Sequence, residues 1–115
     1  MTWYIAKLVF NINIDNGVHN SQFDEQTRLI EAKSLEEAFF KARRIGRNEE
    51  VEFTNSENKT VNWKFIDVMD IYALNAMKDG EQIYSTTHES EDAKSFIQLI
   101  RQKSMVIQAK NLTFA

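Results

Sequence analysis

Seventeen acidic side chains and two histidines could do acid–base or metal chemistry in this chain, but their spacing singles out few of them. None of the 115 residues is Cys, which removes a thiol nucleophile, a disulfide framework and any thiolate metal site. The two histidines, His19 and His88, lie far apart, and neither has a second His close behind it. A metal site would have to be assembled from distant segments, so solvent-exposed loop histidines are the plainer reading and no cofactor is expected. Three glycines leave little room for a phosphate-cradling loop, and no G-x-S-x-G elbow or dinucleotide fingerprint occurs. Asp67 and Asp70 are of the right type for general acid–base work. Their use depends on separation and direction, which a phase change in the surrounding strand conceals, and no catalytic residue is assigned.

The best polar constellation is Glu25 with Thr27. In an extended segment these share a face with Phe23, Leu29 and Glu31. If Phe23 and Leu29 point to the core, Glu25 and Thr27 lie between them, on the side that carries the helices. A carboxylate there must find a partner or shift its pKa upward, as active-site carboxylates do. The competing reading is an edge strand whose charges deter aggregation. The cationic cluster Lys41, Arg43, Arg44 and Arg47 falls near the end of a predicted helix, where the helix dipole favours positive charge, ahead of an anion-site reading.

The elements that would position these residues can be read in order. Tyr4, Ala6, Leu8, Phe10, Ile12 and Ile14 alternate as the apolar face of a first strand. A turn follows at Asp15-Asn16-Gly17 with His19-Asn20-Ser21, and a return strand runs from about Gln22 to Ala32. Ser34-Leu35-Glu36-Glu37 is a capping box. Leu35, Ala38, Phe39, Ala42 and Ile45 recur at helical spacing behind it, and Gly46 suits a left-handed cap at the helix end. Val51-Glu52-Phe53 is a short strand, and Asn55 to Asn58 a polar turn. The extended run from about Thr60 to Leu74 changes phase: Val61, Trp63 and Phe65 are odd, while Ile66, Val68, Tyr72 and Leu74 are even. That predicts a β-bulge or bend near Phe65 to Asp67, with Trp63 and Phe65 buried before it and Ile66 and Val68 largely buried after it. Asp79-Gly80 signals a hairpin into a strand from Gln82 to Thr86. A second helix opens near Ser90, and Ala93, Phe96, Ile97, Ile100, Ser104 and Ile107 share its apolar face. Its end is open, because Met105 to Ala109 also fits a short strand.

The implied class is α+β, an antiparallel sheet of about five strands with both helices packed on one face, in the order ββα-βββ-α. A ferredoxin-like arrangement with an extra leading strand is the alternative, if the tail over 104–115 is a strand. The length suits one domain over 1–115, and apolar and charged shares of 43% and 27% are those of a globular chain rather than a disordered one. The opening residues have no basic leader, and Lys7, Asn11 and Asn13 interrupt the apolar run. Neither a signal peptide nor a membrane span is expected, and the reading is cytoplasmic. A formal charge of −3 argues against nucleic acid or anionic membrane as partner.

Trp3-Tyr4-Ile5-Ala6-Lys7-Leu8-Val9-Phe10 resembles the opening of a family of short bacterial proteins classed as a domain of unknown function. Phe23-Asp24-Glu25-Gln26 with Arg28-Leu29-Ile30, Val61 through Trp63-Lys64-Phe65-Ile66-Asp67-Val68, and Lys78-Asp79-Gly80-Glu81 are similar to that family as well. The likeness runs over about residues 3 to 103. It implies a bacterial single-domain protein and brings no functional residues with it.

What remains is surface. The odd positions of the first strand, Trp3, Ile5, Lys7 and Val9, form an apolar patch for which the countable elements give no cover. The aliphatic stem of Lys7 can lie along it while the ammonium reaches an acid at the rim. Phe40 projects from the side of the first helix opposite its apolar face. It is expected either to stack under arginines or to be covered by another chain or the C-terminal tail. The expectation is a non-enzymatic module that forms a homodimer through this patch or docks on a protein partner. Cover by a loop or by the tail with Leu112 and Phe114 is the competing outcome. The alternative function is a small-ligand binder or enzyme with a pocket near Glu25.

Overall fold

The computed structural model describes residues 1–15 and 20–111. The chain divides into two compact units, Met1–Ile83 and Tyr84–Ala115. The first holds strands β1 (Thr2–Ile14) and β2 (Gln22–Ala32), helix α1 (Leu35–Asn48), and strands β3 (Val51–Thr54) and β4 (Thr60–Ala73); the second holds helix α2 (Ala93–Asn111). The fold is α+β, as the alternation of periods implies. Its sheet is antiparallel and curled, with four strands in the order β2-β1-β4-β3.

The even positions of β1 carry the core. Tyr4, Ala6, Leu8 and Phe10 are buried with Ile30 and Ala32 of β2 and Ala38 and Ala42 of α1. Ile45, Trp63, Phe65, Val68 and Ile71 pack around them. Leu8, Phe10 and Ile30 are the largest fully enclosed side chains, each stabilising the fold by roughly 1.5–3 kcal/mol. Phe10 sits at the centre, its ring 5.5 Å from Phe65 and 6.1 Å from Trp63.

α1 starts where its capping box predicts. Ser34 is extended, its hydroxyl accepts the Glu37 N–H at 3.1 Å, and Glu37 reaches back to the N–H of Lys33. Gly46, however, does not end the helix. It is buried, helix continues to Asn48, and Glu49 closes it with right-handed backbone. The reason is packing rather than turn chemistry: a Cβ at Gly46 would fall on the Phe65 ring. Glycine is what lets the last turn of α1 lie on the sheet.

β4 breaks register twice. Ile66 is the extra residue between the pairs Phe10↔Phe65 and Val9↔Asp67, and Met69 is the extra residue between Leu8↔Val68 and Lys7↔Asp70. The first bulge lies where the phase change predicts; the second was not anticipated. Ile66 is 53% exposed instead of largely buried, because it is the inserted residue. Trp63, Phe65 and Val68 are each partly buried. Each bulge is followed by an aspartate that accepts the next amide, Asp67 from Val68 at 2.8 Å and Asp70 from Ile71 at 2.9 Å. The Glu50 carboxylate accepts the Phe65 N–H. Freed backbone donors are thus paired by neighbouring acids.

The predicted strand from Gln82 to Thr86 does not form, and neither does the alternative strand in the tail. Lys78 to Glu81 makes the turn, with Gly80 at φ +82° and the Glu81 N–H on the Lys78 carbonyl, but residues 82–86 are not strand. Ile83 and Tyr84 are adjacent, so they fall on opposite faces and give an extended segment no apolar side. Residues 104–111 are helical, which removes the strand that the ferredoxin-like alternative required. α2 opens at Asp92 rather than Ser90: the Asp92 carboxylate accepts the N–H and the hydroxyl of Ser95. Those bonds hold its pKa below the usual carboxylate range. Among the described residues no helix is long and apolar enough to cross a membrane. His19, most of the first turn, Leu112 and Phe114 lie outside the described residues.

Candidate functional site

The sheet has two unlike faces. One carries the even residues of β1 and is covered by α1. The other, here the outer face, is set by register. Across β2, β1 and β4 its rows read Leu29–Ile5–Tyr72, Thr27–Lys7–Asp70, Glu25–Val9 and Phe23–Asn11–Lys64, with Glu31 beside Trp3; Asp67, opposite Val9 in register, turns at the bulge toward Arg43 of α1 instead.

The patch on β1 is only partly open. Ile5 is 2% exposed and flanked by Leu29 and Tyr72, so the expectation that it lacks cover fails. Trp3, Lys7 and Val9 are half-buried. Lys7 sits directly opposite Asp70, an acid placed to meet its ammonium. The larger apolar exposure lies one strand over, on β2, where Phe23 is 62% and Leu29 51% exposed. These two were expected in the core if Glu25 was to line a pocket. Instead the opposite phase of β2 points inward, with Ile30 and Ala32 buried against α1. Glu25 and Thr27 are exposed on the outer face and do not stand between sheet and helix. β2 is an edge strand, as the competing reading held.

The inward phase of β2 also carries polar residues that sequence reasoning passed over. Asp24, Gln26 and Arg28 form a ladder: Gln26 donates to Asp24 at 2.9 Å, and Arg28 donates twice to Gln26. Arg28 ends 3.5 Å from Glu49 at the tip of α1. The signal for this phase was present. Only Lys33 and Ser34 separate Ala32 from α1, so Ala32 had to face the helix, and Ile30 with it.

The cationic cluster of α1 does not gather round one anion. Lys41 donates to the Glu31 carbonyl at 3.0 Å. Arg43 makes a two-pronged pair with Asp67, Nε to Oδ1 at 2.9 Å and Nη2 to Oδ2 at 3.0 Å. Its guanidinium stacks 4.3 Å over Phe39. Hydrogen bonding by Arg43, then by the Val68 amide, holds the Asp67 carboxyl below the usual range, and the same pairing raises Arg43. A carboxylate kept ionised in this way is a clamp between α1 and the β4 bulge, and a poor proton donor.

Phe40 is 55% exposed, edge-on to Phe39 and 6.0 Å from the Arg43 guanidinium. It lines a shallow groove of about 440 Å³ together with Ser34, Glu36, Glu37, Lys41 and Arg44. Being on α1, it is on the opposite side of the sheet from Trp3, Lys7 and Val9, and the structure does not bring these residues together. Among the described residues no three His, Asp or Glu converge to hold a metal, and His88 lies against Phe96 with the rings tilted and their centres 5.9 Å apart.

A family model described as Domain of unknown function (DUF4288) matches residues 3–85, a shorter span than the likeness to residue 103. No curated protein and no solved structure matches the chain.

Proposed function

The chain belongs to the DUF4288 family of unknown function, so we propose a function from its surface: a non-enzymatic interaction module of bacterial cytoplasm that self-associates through the outer face of its sheet. The observation that carries this reading is the pair Phe23 and Leu29, more than half exposed on an edge strand whose outer face continues into half-buried Val9 and Trp3. Apolar side chains clustered on one face form a patch that monomers seldom leave open. A two-fold contact with a second copy is the commonest way to close it.

The polar residues of the same face support the reading. Glu25 and Thr27 lie between the apolar pair and Glu31 just beyond it, polar groups that would set register and discourage indiscriminate stacking. Light scattering on the wild type and on Val9→Lys tests the proposal. Dimer for the wild type and monomer for the variant are expected. A wild type that stays monomeric at high micromolar concentration overturns it.

A further inference from the structure

We propose that the element which closes the outer face is helix α2 of a second copy of the chain, docked reciprocally. This rests on the self-association reading above and names the partner surface within it.

Within its own unit α2 is a helix with no covered side. Every described side chain along it is exposed, including Phe96, Ile97, Ile100 and Ile107. At 100° per residue those four fall within about 100° of arc, the width of a stripe that normally faces a core. The helix carries Lys94, Arg101, Lys103 and Lys110 and no acid. Lys103 and Lys110 fall on one flank of the apolar stripe, and Lys94 and Arg101 on the other. Two such helices would set four cations against four, so α2 paired with a second α2 is disfavoured. An acidic apolar surface suits it.

The β2 edge of the outer face is such a surface. Its exposed apolar residues on β2, Phe23 and Leu29, alternate with Glu25 and Glu31. The lengths agree as well. Phe96 to Ile107 spans about 17 Å along a helix, and Phe23 to Leu29 about 20 Å along a strand. One contact made twice across a two-fold axis would close both surfaces at once. The family match ends at residue 85, so α2 lies outside the matched domain, and the partner it supplies would be a feature of this chain.

Charge reversal on the full chain tests this. Sedimentation velocity would compare the wild type with Arg101→Glu/Lys103→Glu, with Glu25→Lys/Glu31→Lys, and with the four changes combined. Each pair of changes alone should weaken dimerisation by about tenfold or more, and the combination should recover a large part of the loss. If Val9→Lys breaks the dimer while the α2 changes leave its dissociation constant unmoved, the sheet-face reading stands and the docking of α2 is overturned. A monomeric wild type overturns both. Co-sedimentation of the wild type with phosphatidylserine vesicles, abolished by Arg101→Glu/Lys103→Glu with the dimer unchanged, would assign α2 to a membrane surface and overturn the proposal.

Discussion

Both helices carry apolar residues at helical spacing, in a sharp stripe on α1 and a more diffuse one on α2, and only the stripe of α1 is buried within its own unit. α1 buries Ala38, Ala42 and Gly46, small residues that let its backbone approach the sheet until the Phe65 ring fills the space a side chain would take. α2 presents Phe96, Ile97, Ile100 and Ile107, large residues in the open. Small residues at the centre of a helix stripe mark a contact already closed within the chain. Bulky ones flanked by cations are what the proposed docking of α2 would cover.

The largest effect that could break this contrast is a core truncation on one side set against the equivalent change on the other. Phe10→Ala should destabilise folding by about 3–5 kcal/mol, because Phe10 is fully enclosed among Trp63 and Phe65. Phe96→Ala should change the same cooperative transition in dilute solution by under about 0.5 kcal/mol. Urea denaturation of both variants checks this, and equal losses would mean that α2 already belongs to the folding core.

A smaller loss is expected from filling the close approach. Gly46→Val should cost about 1–3 kcal/mol, since the added atoms fall on the Phe65 ring and one or the other must move. Gly46→Val combined with Phe65→Ala should recover part of that loss in the same urea titration. If it does not, the strain lies in the helix backbone and the packing account of Gly46 is wrong.

The smallest effect concerns the clamp that holds α1 on β4. Asp67 titrates below its ordinary value when folded, so its contribution is present above the unfolded carboxylate pKa of about 3.9. It is lost as pH falls through the lower folded value. Wild type should exceed Asp67→Asn in melting temperature at neutral pH, by less than either change above because the pair is partly solvated. The two should converge in strong acid. A difference that persists there would assign the role of Asp67 to shape rather than charge.

How much of this was legible follows from which physical signals are local. The capping box at Ser34, the alternation of β1 and the bulge at Ile66 depend on neighbouring residues and could be read directly. The second bulge at Met69 was hidden because a period of two, once broken, gives no reason to look for another break three residues later. Asp67 and Asp70, suspected for acid–base work, each follow a bulge residue and accept the next amide, a role visible only once the breaks are placed. The phase of β2 was ambiguous because Phe23 and Leu29 compete with Ile30 and Ala32, and pairing with β1 decides between them. Chain connectivity into α1 held that information. Gln82 to Thr86 follows a good turn signal, but a strand also needs an apolar side to bury, which this segment lacks.

If two copies meet through the outer face, Phe23 and Leu29 become covered. Hydroxyl-radical footprinting of the wild type, from low to high micromolar concentration, reads that cover side chain by side chain. Labelling of Phe23 and Leu29 should fall as concentration rises, while Val51 and Phe53 on the opposite edge strand, both exposed, keep theirs. Phe23 and Leu29 labelled as strongly at high concentration as at low would contradict the account.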